Sequence, residues 1–105
     1  MKTILAADIG GTNSRFAHFE TDLESRLAMV DTIWLPTDEA DSFAQLLEQL
    51  RSSNFSLPTD EADIAVIAVA GPVEQASYCA PPYIDWDIDL DSQAAANSFQ
   101  QATLI

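Results

Sequence analysis

Apolar positions come in short runs separated by glycine, proline or acidic turns, and the period within each run names the element. Thr3 to Ile9 is apolar almost throughout and is closed by Gly10-Gly11. It is too short for a typical helix and reads as a strand buried on both faces. Ser14 to Glu20 (SRFAHFE) is a second short run, rich in Phe and followed by the polar stretch 21–25. Arg26 to Leu35, with Val30, Thr32, Ile33 and Trp34, is a third, ended by Pro36. Successive strands with tight connections predict an antiparallel meander.

The period then changes. Phe43, Leu46, Leu47 and Leu50 recur at i, i+3, i+4 and i+7, one face of a helix. Thr37 or Asp38 is the expected cap, acids at Asp38, Glu39 and Asp41 favour the positive end of its dipole, and Ser52-Ser53-Asn54 closes it. Asp63 to Ala70 (DIAVIAVA) is a β-forming apolar run bounded by Gly71-Pro72. It predicts a central strand covered on both faces, reached by a parallel crossover through the helix. Beyond it, 76–79 reads as a short strand, Pro81-Pro82 as a break and Ile84 to Leu90 as an alternating segment. Residues 91–101 read as a helix capped by Asp91 or Ser92, and Ala102 to Ile105 as the start of another buried strand. An apolar β run is an unusual natural end, so the expectation is a fragment of a longer protein. The heptapeptide Leu-Pro-Thr-Asp-Glu-Ala-Asp occurs at 35–41 and again at 57–63. The first copy leads into a helical pattern and the second into a strand-like one, so the pair predicts no structural repeat.

Composition narrows the class. The 105 residues are 48% hydrophobic and 20% charged, as in an ordinary folded domain. The net charge of −13, with only Lys2, Arg15, Arg26 and Arg51 as bases, argues against nucleic acid and against an anionic membrane surface. Asp8 interrupts the N-terminal apolar run far short of a signal peptide, and no stretch is long enough to span a membrane. A cytoplasmic location is expected. Cys79 is the single cysteine, so neither an internal disulfide nor a cysteine metal cage is available, and it is expected to be inert.

The chemistry is concentrated in Asp8-Ile9-Gly10-Gly11-Thr12-Asn13-Ser14-Arg15. Paired glycines let the backbone turn sharply and bring bare N–H groups against an anion. Thr12 and Asn13 add side-chain donors. Asp8, at the end of a strand, is suited to holding Mg²⁺ through water. Arg15 can pair with Asp8 or with phosphate. Such a set suits the tail of a magnesium nucleotide. It is neither a dinucleotide fingerprint nor a P-loop, because there is no Lys and the glycines lead into a strand. The plain alternative is a Gly-Gly hairpin turn.

DIGGTNSRFA between two strands resembles the first phosphate motif of bacterial glucokinases, in the actin-like sugar kinase, Hsp70 and actin superfamily. The resemblance extends through the meander, the helix, the strand ending in Ala70-Gly71-Pro72, and Trp86 with the Ile-Asp after it. It implies an α/β, RNase H-like (actin-like ATPase) lobe with a mixed sheet of three antiparallel and two parallel strands plus helices, the last strand truncated. Residues 1–105 would form the N-terminal lobe of a two-lobed sugar kinase that moves the γ-phosphoryl of ATP to a sugar hydroxyl, glucose first among candidates. The cofactors implied are ATP and Mg²⁺. Asp8 would assist the metal, Gly10, Gly11, Thr12 and Asn13 would surround the phosphates, and Arg15 would support the loop. Gly71, Pro72 and Trp86 would lie toward the cleft floor and the sugar.

Two departures stand out. The family's Thr-Asn pair before the tryptophan is replaced here by a stretch, Ala80 to Asp85, that lacks Asn, which leaves the sugar open. The family's catalytic Asp, the general base, would come just after Ile105, so the chain holds no catalytic residue and is expected to be inactive alone, without its C-terminal lobe. A sugar- or nucleotide-sensing regulator of the same fold, and a kinase with another acceptor, remain alternatives. His18 reads as a partly exposed strand residue, Trp34 and Trp86 as packing residues. Asp85, Asp87, Asp89 and Asp91 read as a solvated acidic face or cleft lip. Exposed apolar surface where a second lobe would sit predicts self-association, a homodimer included.

Overall fold

The computed structural model describes residues 2–92 and 98–105. Strands β1 (Thr3–Ile9), β2 (Asn13–Thr21) and β3 (Leu27–Pro36) form the antiparallel meander. Helix α1 (Phe43–Arg51) leads to β4 (Ile64–Val69), which pairs parallel to β1. A two-stranded antiparallel ribbon of β5 (Tyr78–Cys79) and β6 (Ile88–Asp89) comes next, and β7 (Ala102–Leu104) pairs parallel to β4. The main sheet runs β3-β2-β1-β4-β7 and is the mixed five-stranded α/β sheet expected. Of the helix expected over 91–101, residues 93–97 lie outside the described residues, while 91–92 and 98–101 form turns and irregular chain and not helix.

The helix stripe is the core. Phe43, Leu46, Leu47 and Leu50 are buried against Leu5, Ala7, Ile9 and Phe16, and against Ala65, Ile67 and Leu104 across the parallel strands. Each such large side chain stabilises the fold by about 1.5–3 kcal/mol when removed from water. Register explains the selection. Leu5, Ala7 and Ile9 stand opposite His18, Phe16 and Ser14 and beside Ala65, Ile67 and Val69, all on the face that α1 covers.

The expectation that β1 and β4 are buried on both faces is corrected. On the other face Ile4, Ala6, Val66 and Ala68 are only half-buried and Asp8 is exposed, because α1 packs on one side alone. Small, uniformly apolar side chains hid this, since they read alike whether a face is covered or open.

The cap is also corrected. Ser42 is the N-cap: its Oγ accepts from the Gln45 N–H at 3.0 Å, and Gln45 Oε1 accepts from the Asp41 N–H. This is a variant of the capping box, in which the last side chain reaches back to a backbone donor before the helix. Thr37 is buried instead and anchors a separate 3-10 turn over Thr37–Glu39, its hydroxyl 2.5 Å from Ser14 Oγ.

The second heptapeptide forms the same 3-10 turn at Thr59–Glu61, again with a buried Thr and a buried Ala after it. The likeness is confined to that turn, since Leu35 and Pro36 end β3 whereas Leu57 and Pro58 lie in no strand. His18, expected to be partly exposed, is buried at 6%, with Nδ1 2.8 Å from Ser56 Oγ and Nε2 3.6 Å from Glu20.

Asp63 ties the start of β4 to the start of β1. Its Oδ2 accepts from the Thr3 N–H at 2.8 Å and the Thr3 hydroxyl at 3.2 Å. The Thr3 N–H, chiefly, holds the Asp63 carboxyl below its ordinary value of 3.8. A carboxyl depressed on folding adds stability that is full above that ordinary value and is lost as pH falls through the lower folded value. Asp63→Ala is therefore expected to lower the melting temperature at pH 6, and to lower it by less as the pH falls below 3.8. Thermal melts of both proteins across this range check it, and a gap that does not shrink with acid would contradict the assignment.

Candidate functional site

Parallel pairing brings the carboxyl ends of β1, β4 and β7 to one edge of the sheet, the edge where ligands bind in open α/β sheets. Two turns therefore stand side by side, Gly10–Asn13 after β1 and 70–72 after β4.

The first turn closes through the Gly10 N–H, which donates to the Asn13 carbonyl at 3.1 Å. Gly10 thus spends its donor inside the turn. Among the described residues, Gly11 and Thr12 keep backbone N–H groups without a backbone partner, and the exposed side chains of Thr12 and Asn13 engage no other protein group. The expected reason for the glycines is corrected, because none of the glycines has a positive φ. They are required by close approach: a Cβ on Gly10 would lie 2.6 Å from the Asn13 carbonyl oxygen. On Gly11 it would lie 3.3 Å from Tyr83 Cβ, and on Gly71 3.0 Å from Cys79 Sγ and 3.3 Å from Pro81 Cα. The segment Pro81–Tyr83 is therefore laid across both turns. Its Pro-Pro-Tyr composition predicts only a break, so nothing in the sequence marks Tyr83, 85% exposed beside Gly11, as part of the site.

Asp8, Arg15 and Trp34 form a row across β1, β2 and β3, in register on the open face. Arg15 had two expected partners, Asp8 and phosphate, and Asp8 is not taken up: no ion pair joins them. The Arg15 guanidinium stands over the Trp34 ring at 5.7 Å from its centroid, and its Nε donates to Thr32 Oγ1 at 3.1 Å. That hydroxyl in turn donates to the Phe16 carbonyl at 3.1 Å. Magnitudes account for the choice. An exposed ion pair is worth about 0.2–1 kcal/mol, and an exposed cation–π contact about 0.5–1 kcal/mol. The Thr32 hydrogen bond adds about 0.5–1.5 kcal/mol and tips the balance. Trp34, expected to be a packing residue, is 62% exposed and serves as this platform. Asp8 is left exposed with no partner among the described residues. Together with Ala6, Ala17, Phe19 and Met29, Asp8 and Arg15 border an open concavity of about 200 Å³.

These residues fit a magnesium nucleotide. A free carboxylate offers the hard oxygen that Mg²⁺ takes directly or through water, and free N–H and side-chain donors offer what phosphate oxygens accept. Of the residues expected toward the cleft floor, Gly71 and Pro72 are exposed at the same edge. Trp86 is half-buried: its Nε1–H donates to the Ala40 carbonyl at 2.9 Å and its ring meets Phe43 at 6.2 Å. Cys79 is fully buried, and burial, with the charge of Glu74, pushes its thiol upward. In the acidic run, Asp85, Asp87 and Asp91 are exposed and Asp89 Oδ1 accepts from the Asp91 N–H. No metal-holding group of three His, Cys, Asp or Glu forms among the described residues.

Fold and turn together define a class: an α/β lobe of the RNase H-like type with a paired-glycine hairpin turn at its carboxyl edge. The glucokinase family model matches residues 5–105. The chain belongs to the glucokinase family. A glucokinase of Caulobacter vibrioides (strain NA1000 / CB15N) is 35% identical over 101 residues, 96% of this chain and 29% of that protein. A glucokinase of Caulobacter sp. (strain K31) is 33% identical over the same shares. The crystal structure of a glucokinase from an Antarctic psychrotroph superposes with a TM-score of 0.77 at 27% identity, covering 100% of this chain and 32% of that one. The chain thus spans about 29% of the length of the curated relatives it matches.

Gly10→Ala is expected to cost about 1–3 kcal/mol of stability, as overpacking typically does, because the Asn13 carbonyl it meets is backbone and cannot swing aside. Chemical denaturation checks this, and a loss no larger than that of Gly71→Ala would contradict it.

Proposed function

We propose that these 105 residues are the N-terminal, phosphate-binding lobe of an ATP-dependent sugar kinase, with glucose as the leading acceptor. The observation that carries the reading is the Asp8 carboxylate, unpartnered among the described residues, beside a turn whose Gly11 and Thr12 N–H groups have no backbone partner among them, at the edge where three parallel strands end. In this reading Gly11 and Thr12 hold phosphate oxygens through their N–H groups, Thr12 and Asn13 add side-chain donors, and Gly10 shapes the turn. Asp8 orients the metal's water shell, and Arg15 supports the loop. Mg²⁺, held there through Asp8, would supply neutralisation of charge on the transferred phosphoryl group. Gly71, Pro72 and Trp86 support the acceptor side of the cleft. The general base, an Asp expected just after Ile105, would emerge at the same edge from β7. The 105 residues alone, lacking it and a closing second lobe, would not turn over. The protein would act in the cytoplasm; no helix among the described residues is long and apolar enough to cross a membrane.

Native-length protein with MgATP and a panel of sugars is expected to release ADP most strongly with glucose. Asp8→Asn is expected to lower kcat about 10–100-fold, as the loss of an outer-sphere metal partner does. If no sugar stimulates ADP release, the reading is wrong. A second reading, a non-catalytic sensor of the same fold, draws on Pro81–Tyr83 lying on the turn in place of an Asn-bearing segment. A sugar-induced rise in melting temperature without ADP release would favour it.

Homodimerisation is part of the proposal, supported by Leu27, Met29, Val30 and Trp34, each at least 50% exposed along the edge strand β3. Light scattering of native-length protein is expected to report twice the chain mass. A monomer at high concentration would refute it.

A further inference from the structure

Arg15 stands between a carboxylate and an indole on one face of the sheet. Its cross-strand partner on β1 is Asp8 and its partner on β3 is Trp34. Side chains directly opposite in an antiparallel pair have Cβ atoms about 4.5–5.5 Å apart, so a guanidinium on β2 reaches a carboxylate on β1 easily. Among the described residues Arg15 is also the one base at this edge: Arg26 is paired with Asp22 and Glu24, Arg51 with Glu48, and Lys2 lies at the opposite end of β1. In a protein of net charge −13, an exposed carboxylate next to a lone arginine without an ion pair requires a cause. Two contacts hold the guanidinium like the jaws of a clamp, the Trp34 ring at 5.7 Å and Thr32 Oγ1 at 3.1 Å. The second jaw is itself fixed, because the Thr32 hydroxyl donates to the Phe16 carbonyl.

We propose that Trp34 and Thr32 are positioning residues that hold the Arg15 guanidinium off the Asp8 carboxylate and so keep that carboxylate open for the metal of a metal–nucleotide complex. The inference rests on the proposed role of Asp8. A guanidinium released from the clamp would pair with Asp8, neutralise it and compete with the cation for the same oxygens. Neither Trp34 nor Thr32 belongs to the turn, so both act through Arg15.

The test is binding of Mn²⁺–ADP to native-length protein, followed by the enhancement of water-proton relaxation, beside calorimetric binding of metal-free ADP in EDTA. Trp34→Ala and Thr32→Val are each expected to weaken Mn²⁺–ADP about two- to fivefold, the equivalent of one exposed cation–π contact, with metal-free ADP unchanged. Trp34→Phe, which keeps a ring face, and Thr32→Ser, which keeps the hydroxyl, are expected to restore most of the loss. Mn²⁺–ADP affinity equal to wild type in both Trp34→Ala and Thr32→Val would overturn the clamp. So would an equal loss for metal-free ADP, which marks general damage to the lobe. If Trp34→Ala fails to fold, the Val and Ser variants at Thr32 decide alone. A wild-type protein that binds Mn²⁺–ADP no better than ADP would instead overturn the role of Asp8, a result separable from failure of the clamp.

Discussion

The parallel pairing of β1 with β4 is the constraint on which the rest of the lobe depends. It fixes Ile9 beside Val69, and so places the glycine turn after one strand against the glycine turn after the other. Antiparallel pairing alone would send the two turns to opposite ends of the sheet. The connection needs a crossover, and α1 supplies it while covering the face that carries Leu5, Ala7 and Ile9. One topological choice thus yields both the core and the edge where a ligand can meet bare backbone.

β2 adds the chemistry of return. Because it runs antiparallel to β1, it brings Arg15 back opposite Asp8, and β3 brings Trp34 opposite Arg15. A carboxylate, a guanidinium and an indole from three strands share a face although the sequence separates them. The turn between β1 and β2 is narrow for a steric reason, and Tyr83 and Pro81 press on the two turns from a later segment. Local and distant residues therefore meet at the same few backbone atoms.

Much of this was legible. Alternation and run length found the three meander strands, α1 and β4 to within a residue or two, since their periods differ sharply. The DIGGTN turn and Asp8 stood out because glycines, donors and a carboxylate adjoin in sequence. What the sequence concealed was relational. Whether the second face of β1 is covered depends on what packs there, and Ala6 or Val66 reads the same either way. The buried His18 depends on Ser56 arriving from the loop after α1. Ser42 is hard to pick out as the cap because two earlier candidates, Thr37 and Asp38, also carry capping side chains, and both are taken up in the separate 3-10 turn that ends at Ala40. Trp34 read as packing because an indole on a strand usually is. Its role needs the register that puts Arg15 beside it.

The order of the parallel strands also gives the lobe a mechanical direction. β1, β4 and β7 point the same way, so tension between the start of β1 and the end of β7 loads both ladders in shear. Their hydrogen bonds are evenly spaced along the strands and would bear such a load together. Force applied across the strands would open them one after another, like a zip. The lobe is therefore stiff along the axis that ends at the glycine turns and compliant across it, so a pull at that edge would be carried along the sheet as through a lever.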